Sequence, residues 1–247
     1  MIALRRMFLI VAVPALLAAQ TAEELVARNL QARGGVEKIK AIRTLRIGAR
    51  LQGGGGFTAK LGRVAMAPNL LRQVFTIQGM SQILAYDGST GWQISPFEGR
   101  KDPELLGEDD LRDLTEDADF YGPLVDYRSK DNRIEYLGHD TVDGDDVYRL
   151  KVTLANGDIL YYYLDPDTCL EIRIEKLQFI RGSVHESVTS LGSYKQVAGV
   201  YFPFSIENGS KQNPYGAKIT IDTMEANVPV NASDFKMPAA PAAPKEF

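Results

Sequence analysis

The chain has 247 residues, of which 45% are hydrophobic and 24% charged, a globular composition that excludes a disordered or fibrous protein. Its formal charge of −4 becomes −6 once Arg5 and Arg6 in the leader are set aside, which argues against a polyanion as partner, whether nucleic acid or an anionic membrane surface. A single cysteine, Cys169, leaves no internal disulfide, while 11 Tyr, 10 Phe and 22 Gly lean toward strands and tight turns.

The leader MIALRRMFLIVAVPALLAAQ places a basic pair before an apolar run from Met7 to Ala19 that ends in small residues, so 1–19 is expected to be a secretory signal. The run is shorter than the roughly 20 residues of a membrane span, and a retained anchor is the alternative. No cysteine follows it for lipid attachment, so the mature chain is expected to be soluble and periplasmic. Next, TAEELVARNLQARGG carries Leu25, Val26, Asn29 and Leu30 at helical spacing, with Thr21 and Glu24 as a capping box and Gly34-Gly35 as the stop. A short turn, VEKIKAI, leads to a strand in which Leu45, Ile47, Ala49 and Leu51 alternate with Arg46 and Arg50.

From there the period is two. Gly53 to Gly56 has no following Lys-Ser or Lys-Thr pair and is expected to be a hairpin turn, not a phosphate loop. Strands are expected over 57–66, 70–77, 81–86 and 91–94, joined by APN and DGSTG. A helix carrying Leu111, Leu114 and Ala118 on one stripe interrupts the series within 107–127. The meander resumes over 133–139, 146–154, 158–164, 170–179, 184–197, 200–207 and 217–226. About a dozen sequential antiparallel strands are too many for a flat sheet, so the sheet must curl or close. The end, MPAAPAAPKEF, lacks any period, and 239–247 is expected to be a disordered tail after one domain over 20–238.

Legible chemistry is scarce. His139 and His185 lie beside Asp140 and Glu186, but nothing in the spacing brings them together, and Cys169 has no adjacent base. Asp140, Asp143, Asp145 and Asp146 lack calcium-loop spacing and suit a hairpin turn. No catalytic residue, metal site or cofactor is expected. The surplus is apolar: DILYYYL sets Ile159, Tyr161 and Tyr163 on one face and Leu160, Tyr162 and Leu164 on the other, and YFPF and LLRQVFTI repeat this two-sidedness. Either both faces are covered, as in a filled β sandwich, or one lines a cavity.

An ordered set of segments resembles the LolA/LolB-like superfamily of outer membrane lipoprotein-sorting proteins: ARGGVEKIKAIRTLRI, YDGSTGWQISPF, FYGPLVDY, GHDTVDGDDVYRLKVTLANGDILYYYLDP, YKQVAGVYFPFSIE and ITIDTMEANVPVNASDFKMP, spanning about Thr21 to Pro238. The resemblance implies a mainly β fold with few helices, an incomplete antiparallel β barrel enclosing a hydrophobic cavity, covered by the N-terminal helix and an inserted lid helix. It implies a periplasmic carrier, not an enzyme, that holds acyl chains of a lipid or lipoprotein. The alternatives are a sensor or scaffold of the same fold that binds a protein, such as an envelope membrane protein, and a hydrolase, the weakest reading. The expected cavity and lid residues are Leu45, Ile47, Phe75, Trp92, Phe97, Leu111, Leu114, Phe120, Tyr121, Tyr161, Tyr163 and Phe202. A monomer is expected, with no nucleic acid bound.

Overall fold

The computed structural model describes residues 20–99, 102–180, 182–213 and 216–239; the expected leader and the tail from residue 240 lie outside the described residues. Helix α1 (Ala22–Ala32) begins as its capping box requires, the Thr21 hydroxyl accepting from the Glu24 amide at 3.2 Å while the Glu24 carboxylate accepts from the Thr21 amide at 3.0 Å. It buries Leu25, Val26, Asn29 and Leu30, and α2 (Val36–Ala41) adds Ile39. Six strands follow: β1 (Thr44–Gln52), β2 (Thr58–Met66), β3 (Leu70–Ile77), β4 (Met80–Tyr86), β5 (Gly91–Ile94) and β6 (Glu104–Leu105).

Helix α3 (Glu108–Asp117) is shorter than the apolar stripe suggested, because after Ala118 the chain passes through Gly122, Pro123 and Asp126, which takes a positive φ of 53°. The second run comprises β7 (Arg133–Val142), β8 (Asp145–Thr153), β9 (Ile159–Leu164), β10 (Glu171–Ile180), β11 (Ser183–Gly192), β12 (Lys195–Val197), β13 (Val200–Phe202), β14 (Ser205–Gly209) and β15 (Ala217–Ala226). The long strands expected over 184–197 and 200–207 are each broken. Ser193 turns to a φ of 52° and Pro203 cannot donate a ladder hydrogen bond, so β12 and β13 leave the main sheet and pair with each other.

The other thirteen strands form one antiparallel sheet in the order β6-β5-β4-β3-β2-β1-β15-β14-β11-β10-β9-β8-β7, open at both edges. β1 and β15 meet in the middle, so the two runs become two limbs. Register then assigns every side chain to a face, since directly opposed residues of an antiparallel pair point the same way. Leu45, Ile47 and Ala49 of β1 share a face with Ala65 and Leu61 of β2, and Leu61 in turn with Phe75 of β3. This is the inner face: Leu25, Leu30, Ile39 and Leu124 pack in one buried cluster with Leu45, Leu150, Val152, Leu160 and Tyr162.

Trp92 belongs to the other side. It pairs with Ala85 on the outer face, where the C-terminal 3-10 turn Ala232–Phe235 covers it and the Phe235 carbonyl accepts its indole N–H at 2.8 Å. Trp92 is therefore a core residue of the outer face and not a wall of an inner cavity. Replacing it with Phe removes this hydrogen bond and leaves a void, and is expected to lower stability by about 1–3 kcal/mol in urea unfolding. A chain ending at residue 228 should shift the emission of this sole tryptophan to the red; unshifted emission would mean that the C-terminal turn does not shield it.

Candidate binding site on the inner face of the sheet

Helix α3 reports how far the sheet curls. Its Leu114 and Ala118 pack on Ala65 and Leu71, with Leu84 and Tyr86 of β4 alongside, and the bare backbone of Gly91 admits Leu111, whose Cδ1 lies 2.6 Å from where a Cβ would stand. The opposite side of the same helix reaches β10, where Gln178 Nε2 donates to Asp113 Oδ1 at 2.7 Å and Lys176 pairs with Glu116 at 2.7 Å. β4 and β10 are third and tenth in the strand order, roughly 34 Å apart were the sheet flat. A helix with its side chains is only about 10 Å wide. The two limbs must rise on either side of α3, which is wedged between them, making a half-barrel that is not closed.

The two sides of the wedge are held by different physics. Toward β2–β5 the contact is apolar, with polar pillars where Arg63 Nη2 donates to the Asp117 carbonyl at 2.6 Å and Gln73 reaches the Asp117 carboxylate. Toward β8–β10 it is ionic. Arg112 donates through Nε to Asp158 Oδ2 at 3.1 Å and through Nη2 to the other carboxylate oxygen of Asp158, whose side chain is wholly buried. Gln178 also donates to Asp158, and Asn156 Nδ2 donates to Glu116 at 2.7 Å. Burial pushes Asp158 up, but hydrogen bonds from Glu116, Gln178 and Arg112, with the Arg112 charge, outweigh it and hold the carboxyl below its ordinary range. Glu116 goes the other way: burial and the shared hydrogen bond with Asp158 overcome Lys176 and Asn156 and raise it to about 7.

Of the expected site residues, Leu45, Ile47, Phe75, Leu111, Leu114, Phe120, Tyr121 and Phe202 are on or packed against the inner face. Phe120 and Tyr121 meet edge to face at 5.1 Å beside the main cluster, and Phe202 bridges that cluster to the one containing Ala49, Phe204 and Ile221. Four residues are elsewhere. Trp92 is on the outer face, as described, and Phe97 is exposed on the 3-10 turn Pro96–Glu98 after β5. Tyr161 and Tyr163 also point outward, because Tyr162 is the residue that opposes inward-facing Leu150 and Ile174. The Arg149 guanidinium lies over the Tyr161 ring at 4.4 Å and the Tyr163 ring at 5.5 Å, so an arginine stem, not a cavity, covers this second apolar face.

Toward the β1–β2 and β3–β4 turns, a row of half-buried apolar side chains continues on the inner face: Ile47, Leu61, Phe75, Ile206 and Ile219. Next to α3, a cavity of about 410 Å³ lies between Thr115–Asp117 and Leu160, Tyr162 and Ile174. A larger cleft of about 540 Å³ runs outside the sheet, between α1 and 124–129. His139 stacks edge-on against Tyr148 on β7–β8, and His185 is exposed on β11, four positions along the sheet, so the two are not brought together. Cys169 is buried with its thiol pushed up by that burial, and its carbonyl accepts from Asn29 at 2.9 Å. Among the described residues no group of three or more His, Cys, Asp or Glu is placed to hold a metal ion, and no helix is long and apolar enough to cross a membrane.

The curled, open sheet with a helix between its limbs defines a class, the LolA-like half-barrel, and solved structures bear this out. A LolA superfamily protein from Nitrosomonas europaea superposes with a TM-score of 0.60 at 12% identity, covering 88% of this chain and 98% of that one. A DUF1329 family protein from Desulfovibrio piger gives 0.59 at 12% identity over 87% and 97%. A domain from Vibrio parahaemolyticus named for outer membrane lipoprotein sorting gives 0.55 at 12% identity over 85% and 97%. No protein-family model and no curated protein sequence matches the chain. The fold of this protein is LolA-like.

The ionic side of the wedge carries a pH signature. Glu116 holds its proton to about pH 7 in the folded chain but releases it near an ordinary 4.5 when unfolded, so its contribution to stability is full below 4.5 and is lost as pH rises through 7. Unfolding free energy is expected to fall between pH 5 and 8 by on the order of 2 kcal/mol more in the wild type than in Glu116→Gln. Parallel profiles for the two proteins would show that Glu116 is ionised throughout.

Proposed function

We propose that this protein is an exported carrier that holds acyl chains of a lipid or lipoprotein against the inner face of its half-barrel for transfer between envelope membranes. The observation that carries the reading is the row Ile47, Leu61, Phe75, Ile206 and Ile219, apolar and half-buried on the side of the sheet that faces the helices. Such a row in a soluble carrier is stabilised by covering it, at about 0.8 kcal/mol for each CH₂ of an acyl chain removed from water. Helix α3 is the segment that moves. Its seat is part apolar and part ionic, and an ionic clamp releases without exposing a second large apolar surface to water.

The similarity to a domain named for lipoprotein sorting supports the cargo class, and the signal-like leader supports export. In this reading residues 1–19 are removed on export, 20–238 make a single periplasmic domain, and the protein works as a monomer without a cofactor. No bond is made or broken in transfer, so no nucleophile or metal is called for.

The full chain, exported and purified without detergent, is expected to carry a phospholipid or acylated species in a native mass spectrum that disappears on organic extraction, and the emptied protein to take up a fluorescent acyl probe. Phe75→Asp should weaken probe binding at least about tenfold by placing a charge against the chain. Leu114→Asp, which spoils the apolar seat of α3, should change retention of bound lipid. A clean apo mass with no probe uptake would remove the carrier reading and favour a protein partner; unchanged retention in Leu114→Asp would remove α3 as the lid.

A further inference from the structure

Behind the 410 Å³ cavity lies a smaller one of about 180 Å³, lined by Arg33, Tyr162, Glu171, Ile174, Leu191 and Tyr194, among others. Tyr162 and Ile174 border both, so Tyr162 stands where they meet. Tyr162 is only 5% exposed, yet its hydroxyl makes no hydrogen bond among the described residues. Burial, reinforced by the nearby Glu171 charge, pushes the phenol up, so it remains an O–H donor. Arg33 at the end of α1 brings its Nη1 to 3.9 Å from Glu171 Oε1, too far for a hydrogen bond, and its guanidinium makes no other among the described residues. Glu171 is 6% exposed; the Tyr194 hydroxyl donates to its backbone carbonyl at 2.6 Å and reaches its carboxylate at 3.3 Å, and the carboxylate makes no other hydrogen bond among the described residues.

Two donors and one acceptor therefore line one cavity with hydrogen-bonding capacity that the described residues do not use, Arg33 being 18% exposed and so open to water or a ligand. Charge narrows what fits. An anion would meet the Glu171 carboxylate and a cation the Arg33 guanidinium, and of the charged groups bordering the larger cavity Lys176 is paired with Glu116 and Lys130 with Asp119, while the Asp117 carboxylate takes a hydrogen bond from Gln73. A neutral group with both oxygen acceptors and O–H donors satisfies Arg33, Tyr162 and Glu171 together, its CH edges resting on Ile174 and Leu191.

We infer that Arg33, Tyr162 and Glu171 form a subsite for the neutral polyol head, such as glycerol, of an acyl-bearing ligand. The subsite rests on the carrier reading, because it fixes the head of a molecule whose chains lie along the apolar row. It makes the half-barrel selective for head as well as chain, which an apolar trough alone cannot be.

The test is displacement of a fluorescent acyl probe from the full chain by 1-monooleoylglycerol and by methyl oleate, which share chain and ester and differ in the two hydroxyl-bearing carbons of the glycerol head. Monooleoylglycerol is expected to bind about tenfold more tightly, and Tyr162→Phe and Arg33→Gln each to reduce the ratio of the two affinities about fivefold. Unchanged Trp92 emission would show that the variants remain folded. Equal affinities, or a preference that survives both substitutions, would overturn the subsite and leave the acyl reading standing. Failure of the probe and of both lipids to bind would remove the acyl reading and the subsite with it.

Discussion

The pairing of β1 with β15 is the constraint on which the rest of the architecture depends. It joins strands from the two ends of the described chain, Leu45 opposite Ala226 and Gln52 opposite Lys218, and so ties two separate meanders into one sheet. On the outer face the join is marked by Arg50, which grips Asp222 through Nε and Nη2 at 2.7–3.1 Å. Midway the register slips at Gly48/Ala49, and a Cβ at Gly48 would approach Thr223 Oγ1 to 2.8 Å, so a residue without one lets the strands stay close through the irregularity. Bulges bend and twist a strand locally. Others at Tyr136/His139 and Glu171/Arg173 occur in the second limb.

Once thirteen strands are joined and curled, their inner face needs cover, and among the described residues three short helices supply it. α1 and α2 close the end where Leu25, Leu30 and Ile39 meet Leu45, Leu150 and Leu160. α3 alone fills the space between the limbs. For the lid role proposed above, an all-apolar helix there would be seated too firmly to release and, once released, prone to aggregate. A helix with Leu111, Leu114 and Ala118 on one side and Arg112, Asp113 and Glu116 on the other is held by hydrophobic contact to one limb and by ion pairs to the other. The ionic side is the one that water can replace. Its buried members, Asp158 above all, need their partners in the seated state, because a desolvated carboxylate without a donor is strongly destabilising.

The interior thus divides by chemistry. Near β1–β3 and β14–β15 it is apolar; near β9–β11 it holds Tyr162, Glu171, Arg33 and Tyr194. An amphiphile has the same division, and the carrier role proposed above calls for both parts. A uniformly greasy trough would bind any chain of the right length, whereas buried polar groups left unpaired by the wrong ligand penalise it.

Much of this was legible in the residues. Alternation in β1, the capping box at Thr21, the turn chemistry between strands and the apolar stripe of α3 are local properties, and they determined the strand series, the helices and the need for a curled sheet. Alternation does not say which of two apolar faces points inward, and in β9 that ambiguity put Tyr161 and Tyr163 on the wrong side. The deciding facts were Arg149 lying across both rings and Trp92 lying beneath Phe235, contacts with no local trace. Arg112 and Asp158 stand 46 residues apart, Asp113 and Gln178 65, and nothing in the spacing announces either meeting. The sequence by itself determined the elements and the need for a curled sheet, because periodicity and turn propensity act within a few residues, while the half-barrel was what the family resemblance implied. Only the tertiary structure decided the inner face, the ionic seat of α3 and the polar end of the interior, because burial and charge pairing depend on strands brought together by the curl of the sheet.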